Sequence, residues 1–225
     1  MNKENNSGHT TRAVVVSAPS GGGKTTLNRR MVKEYPEVAL SISHTTRSPR
    51  TGEKDGIHYH FIGEPQFRRM VESDQFLEWA DVHGKLYGTS FGEIERLEAA
   101  GKIPILEIDV QGWENVRGRL DSLLSVFILP PSLRSLWQRL SNRDDGANQS
   151  HWLRLQNARD EIEKSIDYSH FIINDDLDKA YAELTDLIIR GQAPQLSREE
   201  GRRHAKSLKD EFDSAEWIKE IRRKA

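Results

Sequence analysis

The stretch that most constrains this chain is Ala18–Thr26, which reads Ala-Pro-Ser-Gly-Gly-Gly-Lys-Thr-Thr. It follows an apolar run, Ala13–Val16, and precedes a stretch that can be helical, Leu27–Glu34. Strand, glycine-rich turn, Lys-Thr and helix is the layout of a phosphate-binding loop. Gly21, Gly22 and Gly23 let the backbone take dihedrals closed to other residues and turn its N–H groups toward an anion. The following helix adds the positive end of its dipole. Lys24 supplies a point charge for the β- and γ-phosphates, and the Thr25 hydroxyl is a ready Mg²⁺ ligand. Ser20, the three glycines, Lys24, Thr25 and Thr26 are the candidate nucleotide-phosphate cradle. One departure is visible: Ala18 stands where the usual pattern has a further glycine.

Length and composition set the frame. A chain of 225 residues suits one α/β domain with a small inserted lid. Its formal net charge of −2 gives no basic field, so nucleic acid is not an expected partner. There are no cysteines, which excludes disulfides and cysteine metal sites. That fits a reducing compartment, and a cytoplasmic location is expected. No apolar run approaches the ~18 residues of a membrane span, so no membrane is expected either. Residues 1–12 are polar, do not resemble a secretory signal, and read as a disordered lead-in.

Apolar strand-like runs recur at Ala13–Ser17, Val38–Ser43, His58–Ile62, Phe76–Val82, Ile103–Ile108, Leu124–Leu129 and Phe171–Ile173. Helix-compatible runs lie between most of them: Thr25–Glu34, Glu64–Glu72, Phe91–Ala100, Ser132–Ser141, His151–Tyr168 and Leu177–Arg190. Strands alternating with helices imply a parallel sheet covered on both faces, a three-layer α/β core. Between Ser41 and Val82 the runs are short, close together and rich in aromatics and turn residues. This reads as a small mixed or antiparallel subdomain inserted into the core. Arg143–Ser150 is polar and lacks apolar anchors, as either a mobile lid or a plain surface loop would be. After Gly191 a linker leads into a highly charged stretch with Leu208, Phe212, Ala215, Ile218 and Ile221 at helical spacing. That is an amphipathic terminal helix, which either packs on its own domain or serves self-association.

Ser43–Glu53 places Arg47 and Arg50 beside hydroxyls before a proline-containing turn. Arginine forks match phosphate oxygens, so a second phosphate site, and with it a phosphoryl donor and acceptor, is indicated. The wider pattern resembles the guanylate kinase family. The resemblance rests on Ser43-His44-Thr45-Thr46-Arg47, Pro49-Arg50, Gly52-Glu53, Tyr59-His60-Phe61 and Phe76-Leu77-Glu78-Trp79-Ala80. It continues in Tyr87-Gly88-Thr89, Ile108-Asp109-Val110-Gln111-Gly112 and Ile173-Asn174-Asp175-Asp176-Leu177. It runs in order from about Ala13 to Arg190.

The resemblance implies ATP- and Mg²⁺-dependent phosphorylation of GMP on a P-loop core, with ATP and GMP as the small-molecule partners. It implies a guanylate-kinase-like domain over 13–190, a GMP-binding insert at about 41–90 and a lid at about 139–158. Residues 191–225 are then a linker and an additional helix. Glu78 is a natural guanine reader, because one carboxylate can accept from both N1–H and N2–H, and Ser43 can donate to O6. A site built for those bonds rejects adenine. Arg47, Arg50, Tyr59 and Tyr87 match the positions that hold the GMP phosphate. Glu53 matches the acid beside them, and Thr89 a hydroxyl on the base. Arg139, Arg143 and Arg154 fall at the spacing of the lid arginines, which neutralise transition-state charge. Asn174 corresponds to the adenine-side residue. Asp109 would hold water on Mg²⁺ or contact GMP. The attacking phosphate oxygen is already ionised, so none of the eight histidines is needed as a base.

Three features depart from the family. Glu107 stands where Asp is usual, which alters either GMP or metal-water geometry. The lid arginine Arg143 lacks its flanking glycines. The tail from about Gln192 exceeds the usual length. A rival reading is a guanylate-kinase-like scaffold domain that binds phosphorylated peptides. Such domains lose the loop lysine and lid arginines, whereas Lys24, Arg139, Arg143 and Arg154 are all present. A related kinase acting on another phosphorylated small molecule would not need Ser43 and Glu78.

Overall fold

The structure is a computed structural model that describes residues 13–82, 84–120, 122–142 and 148–224. At its centre is strand β1 (Ala13–Ser17), whose five residues are all buried. A strand apolar on both faces can only sit inside a sheet covered on both sides. β1 pairs in parallel with β7 (Ile103–Leu106) and β8 (Leu123–Leu129). β2 (Val38–Leu40) and β9 (His170–Ile173) close the edges, giving the order β2-β7-β1-β8-β9.

Alternation along β1 feeds two cores. Val14 and Val16 pack with Leu27 and Met31 of α1 (Lys24–Glu34) and with Ala180 and Leu184 of α7 (Leu177–Thr185). Ala13 and Val15 face the other way. They join a core with α4 (Val110–Val116), α5 (Leu133–Ser141) and α6 (Asn148–Lys164). Each fully buried valine contributes about 1.5–3 kcal/mol relative to exposure.

A second, four-stranded sheet orders β4 (His60–Phe61), β3 (His44–Thr45), β6 (Lys85–Ser90) and β5 (Phe76–Val82). It is mixed, with β3 parallel to β4 and antiparallel to β6. Its core is small. Phe67 of α2 (Glu64–Glu72) stacks on Phe76 at 4.3 Å, beside Leu86. α3 (Phe91–Ala99), capped by Ser90, returns the chain to β7. The strand expected at His58–Ile62 is reduced to His60–Phe61. β6 and α4 were not expected at all.

The terminal stretch forms two helices rather than one. α8 (Arg198–Ser214) opens with a reciprocal capping box of Ser197 and Glu200. The chain turns at Ala215 into α9 (Glu216–Lys224). The apolar stripe read from the sequence is covered by the chain itself, since Ala205, Leu208 and Ile218 are buried in the main core. Gly201 lies so close to Phe171 that a Cβ there would sit 2.3 Å from the ring. Phe212 stacks on Trp152, and Arg134 lies over the Trp217 ring. Among the described residues, no helix is long and apolar enough to cross a membrane.

Candidate active site

One cavity of about 1090 Å³ joins the two sheets. Lys24, Thr25 and Glu107 line it from the parallel core, and Ser43, Glu53 and Tyr59 from the second sheet. A smaller cleft of about 260 Å³ runs over Ala18–Thr26, bordered by Asp109 and Glu161.

The loop of the smaller cleft is shaped by backbone. Gly21 and Gly23 have φ of 82° and 96°, in the region that favours glycine. The Gly22 N–H donates to the Pro19 carbonyl at 2.8 Å. The Asn174 amide, from the loop after β9, donates to the Gly22 carbonyl at 2.8 Å. A Cβ on Gly23 would lie 2.3 Å from that same amide nitrogen, so no side chain fits. The Asn174 carbonyl in turn accepts from Arg139 at 2.8 Å. One of the two amide N–H donors of the expected adenine-side residue is therefore committed to the loop. Thr26, exposed on α1, donates its N–H to the Gly23 carbonyl.

Lys24 reaches the Ile108 carbonyl at 3.3 Å. Burial pushes its ammonium pKa down, and the charges of Glu107, Asp109 and Glu161 oppose that. The Thr25 hydroxyl donates to Glu107 at 2.6 Å. Glu107, expected on the GMP side, thus holds the hydroxyl expected on the metal. Asp109 caps α4 through the Gly112 N–H at 2.8 Å and borders the loop cleft.

The second sheet builds its half from side chains. Every branch of Arg47 is bonded: Nε to the Tyr87 hydroxyl at 3.2 Å, Nη1 to the Ser48 carbonyl at 2.8 Å, and Nη2 to Glu53 at 2.9 Å. Glu53 also accepts the Arg50 N–H at 2.7 Å. These bonds, Arg47 first, hold the Glu53 pKa down to about 2. The Tyr59 ring meets Tyr87 edge-on at 5.8 Å. Glu78 accepts the Thr89 N–H at 3.0 Å, and the Thr89 hydroxyl lies 3.4 Å from Ser43. Burial pushes the Glu78 pKa up, against the bonds from Thr89. His58 and His60 make local bonds, to the Lys54 N–H and Glu93.

One carboxylate was missed. Glu161 of α6 accepts the Ser20 N–H at 3.1 Å, inside the loop cleft. Burial raises its pKa to about 6, and the Ser20 bond opposes the rise. Its signal in the sequence is spacing: it stands seven residues after Arg154, two helical turns along one face. Arg143 lies outside the described residues.

Comparison with known proteins agrees with this geometry. A family profile described as guanylate kinase matches residues 10–190. A guanylate kinase of Neisseria gonorrhoeae is 44% identical over 174 residues, which cover 77% of this chain and 85% of that protein. One of Geobacter sulfurreducens is 42% identical over 178 residues, covering 79% and 88%. The crystal structure of guanylate kinase from Anaplasma phagocytophilum superposes with a TM-score of 0.60 at 28% identity, covering 82% of this chain and 87% of that one. The chain belongs to the guanylate kinase family.

Proposed function

We propose that this chain transfers the γ-phosphoryl group of ATP to the phosphate of GMP, giving ADP and GDP, in the cytoplasm. The observation that carries the reading is the single cavity that places Lys24 and Thr25 opposite Ser43, Glu53 and Tyr59. A donor phosphate and an acceptor phosphate can meet there without crossing bulk water.

Ser20–Thr26 cradles the ATP phosphates, with Lys24 as the fixed cation. Asn174 keeps the cradle in shape and Arg139 in reach. Arg47, Arg50, Tyr59 and Tyr87 take the GMP phosphate. Glu78, Ser43 and Thr89 read the guanine, since a carboxylate accepting from Thr89 retains capacity for N1–H and N2–H. The incoming phosphate is ionised at neutral pH, so the protein supplies position and charge rather than a base. Arg139, Arg143 and Arg154 supply that charge from the lid side.

A magnesium ion fits the donor set. Among the described residues no three His, Cys, Asp or Glu side chains form a metal cage, which suits an ion carried in by the nucleotide. Thr25 donates its proton to Glu107 and keeps oxygen lone pairs for a hard cation. Thr25 would ligate the ion, with Glu107 and Asp109 holding its waters. When bound, it neutralises phosphate charge.

An ADP-release assay with GMP, dGMP, AMP, UMP and no acceptor tests the reading. GMP is expected to support turnover far above AMP and UMP. Equal rates with all acceptors, or ADP release unchanged without one, would refute it.

A further inference from the structure

We propose that Glu161 is a built-in occupant of the phosphate cradle: its carboxylate takes the Ser20 N–H that a nucleotide phosphate oxygen must claim, so ATP enters by displacing one anion with another. The inference rests on the phosphate-loop reading of Ser20–Thr26.

The chemistry of the cleft is made for anions. The Ser20–Thr26 loop and Lys24 line it, and a backbone N–H such as that of Ser20 favours a carboxylate for the same reason that it favours a phosphate. Glu161 is held there by the Ser20 N–H and by attraction to Lys24. Among the described residues, burial and two neighbouring acids oppose it. Burial disfavours its charge, and Asp109 adds a like charge nearby. A side chain kept in a site that repels it except through the ligand-binding groups is a stand-in for the ligand.

The helix that delivers it is held from behind. Arg159, two residues before Glu161, lies 3.6 Å from Asp213 of α8. Glu163, two residues after, lies 3.6 Å from Lys209 of α8. Trp152 on the same helix stacks on Phe212 at 5.7 Å. The contact to Ser20 is therefore a property of how α6 is seated. When a triphosphate arrives, Glu161 must give up Ser20 or leave a carboxylate against a polyanion. Either way it weakens ATP binding relative to a neutral residue.

The test measures dissociation constants for MgATP, inorganic tripolyphosphate and GMP in the full-length protein and in Glu161→Gln and Glu161→Ala. Both variants should bind MgATP and tripolyphosphate about five- to tenfold more tightly, with GMP affinity unchanged. Glutamine keeps the size and an acceptor oxygen, and melting curves of both variants check the fold. Unchanged or weaker polyphosphate binding overturns the proposal, as does a gain confined to ATP, which would place the effect at the adenosine. Lys24→Ala separates the two readings. If it leaves tripolyphosphate affinity intact, the phosphate-loop reading fails first. If it abolishes binding while the Glu161 variants show no gain, only the role of Glu161 fails.

Discussion

The two proposed phosphate sites, the loop cleft and the second-sheet side of the cavity, are built by different means. The loop cleft is backbone: two positive-φ glycines, a carbonyl tied to Asn174, and one half-buried lysine. The second-sheet side is side chain: an arginine bonded through all three nitrogens, a carboxylate paired with it, and hydroxyls near Glu78, the proposed base reader. Backbone sites have no rotamers to lose, so they tolerate no change of residue but need little support. Side-chain sites depend on partners that hold each rotamer, so their failures are graded.

The largest effects should therefore fall on the backbone half. Lys24→Ala is expected to lower kcat on the order of 1,000-fold, since it removes a cation from a transition state stabilised by charge. Gly23→Ala should do at least as much harm, because a Cβ meets the Asn174 nitrogen at 2.3 Å and the backbone is left-handed. Steady-state kinetics on both variants check this. Near-normal turnover in either would mean that the loop does not bind phosphate as built.

Substitutions on the side-chain half should act on one substrate and by degrees. Glu78→Gln removes the double acceptor for guanine, and the preference for GMP over AMP should fall by about 100-fold in kcat/KM. An unchanged ratio would assign base reading elsewhere. Glu53→Gln is milder. It frees Arg47 from its 2.9 Å partner and loosens the Arg50 turn, so KM for GMP should rise about tenfold while KM for ATP stays put. A matching rise in KM for ATP would mean that the halves are not separable.

What could be read from the sequence follows the same division. The phosphate loop is a local pattern, and strand, glycines, Lys24 and helix lie within about twenty residues. On the second sheet the arginine pair Arg47 and Arg50 was legible in its residue types, whereas Tyr59, Glu78, Tyr87 and Thr89 were placed through the resemblance to the guanylate kinase family. Contacts that join distant segments were not legible. Thr25 and Glu107 are 82 positions apart, Ser20 and Glu161 141, and Gly22 and Asn174 152. No periodicity announces such pairs. β6 escaped notice because Gly88 interrupts it. The glycine is required there, since a Cβ would come within 2.8 Å of the Glu78 carbonyl. α4 hid behind Gly112 for a similar reason, with Ile108 at 3.0 Å.

The smallest expected effect concerns pH. The His44 ring on β3 lies 4.6 Å from that of His60 of β4, tilted by 34°, and meets Phe76 edge-on. Its Nδ1 is buried without a hydrogen-bond partner among the described residues. Burial first, then His60, pushes its pKa down to about 4, with Glu93 opposing. The unfolded chain then binds the proton more readily than the native state. Stability is present above the unfolded value near 6.5 and is lost as pH falls toward 4. With the ring partly open to solvent, about 1 kcal/mol is expected rather than the full shift. Glu161 runs the other way: its raised pKa makes acidification stabilising as pH falls through about 6. Glu78, whose pKa burial also raises, adds to the Glu161 side, so urea midpoints at pH 7.5 and 5 carry opposed contributions in the parent protein. In His44→Phe the second sheet loses its share, so the drop on acidification should shrink or reverse. An identical drop in both proteins would show that His44 keeps an ordinary pKa.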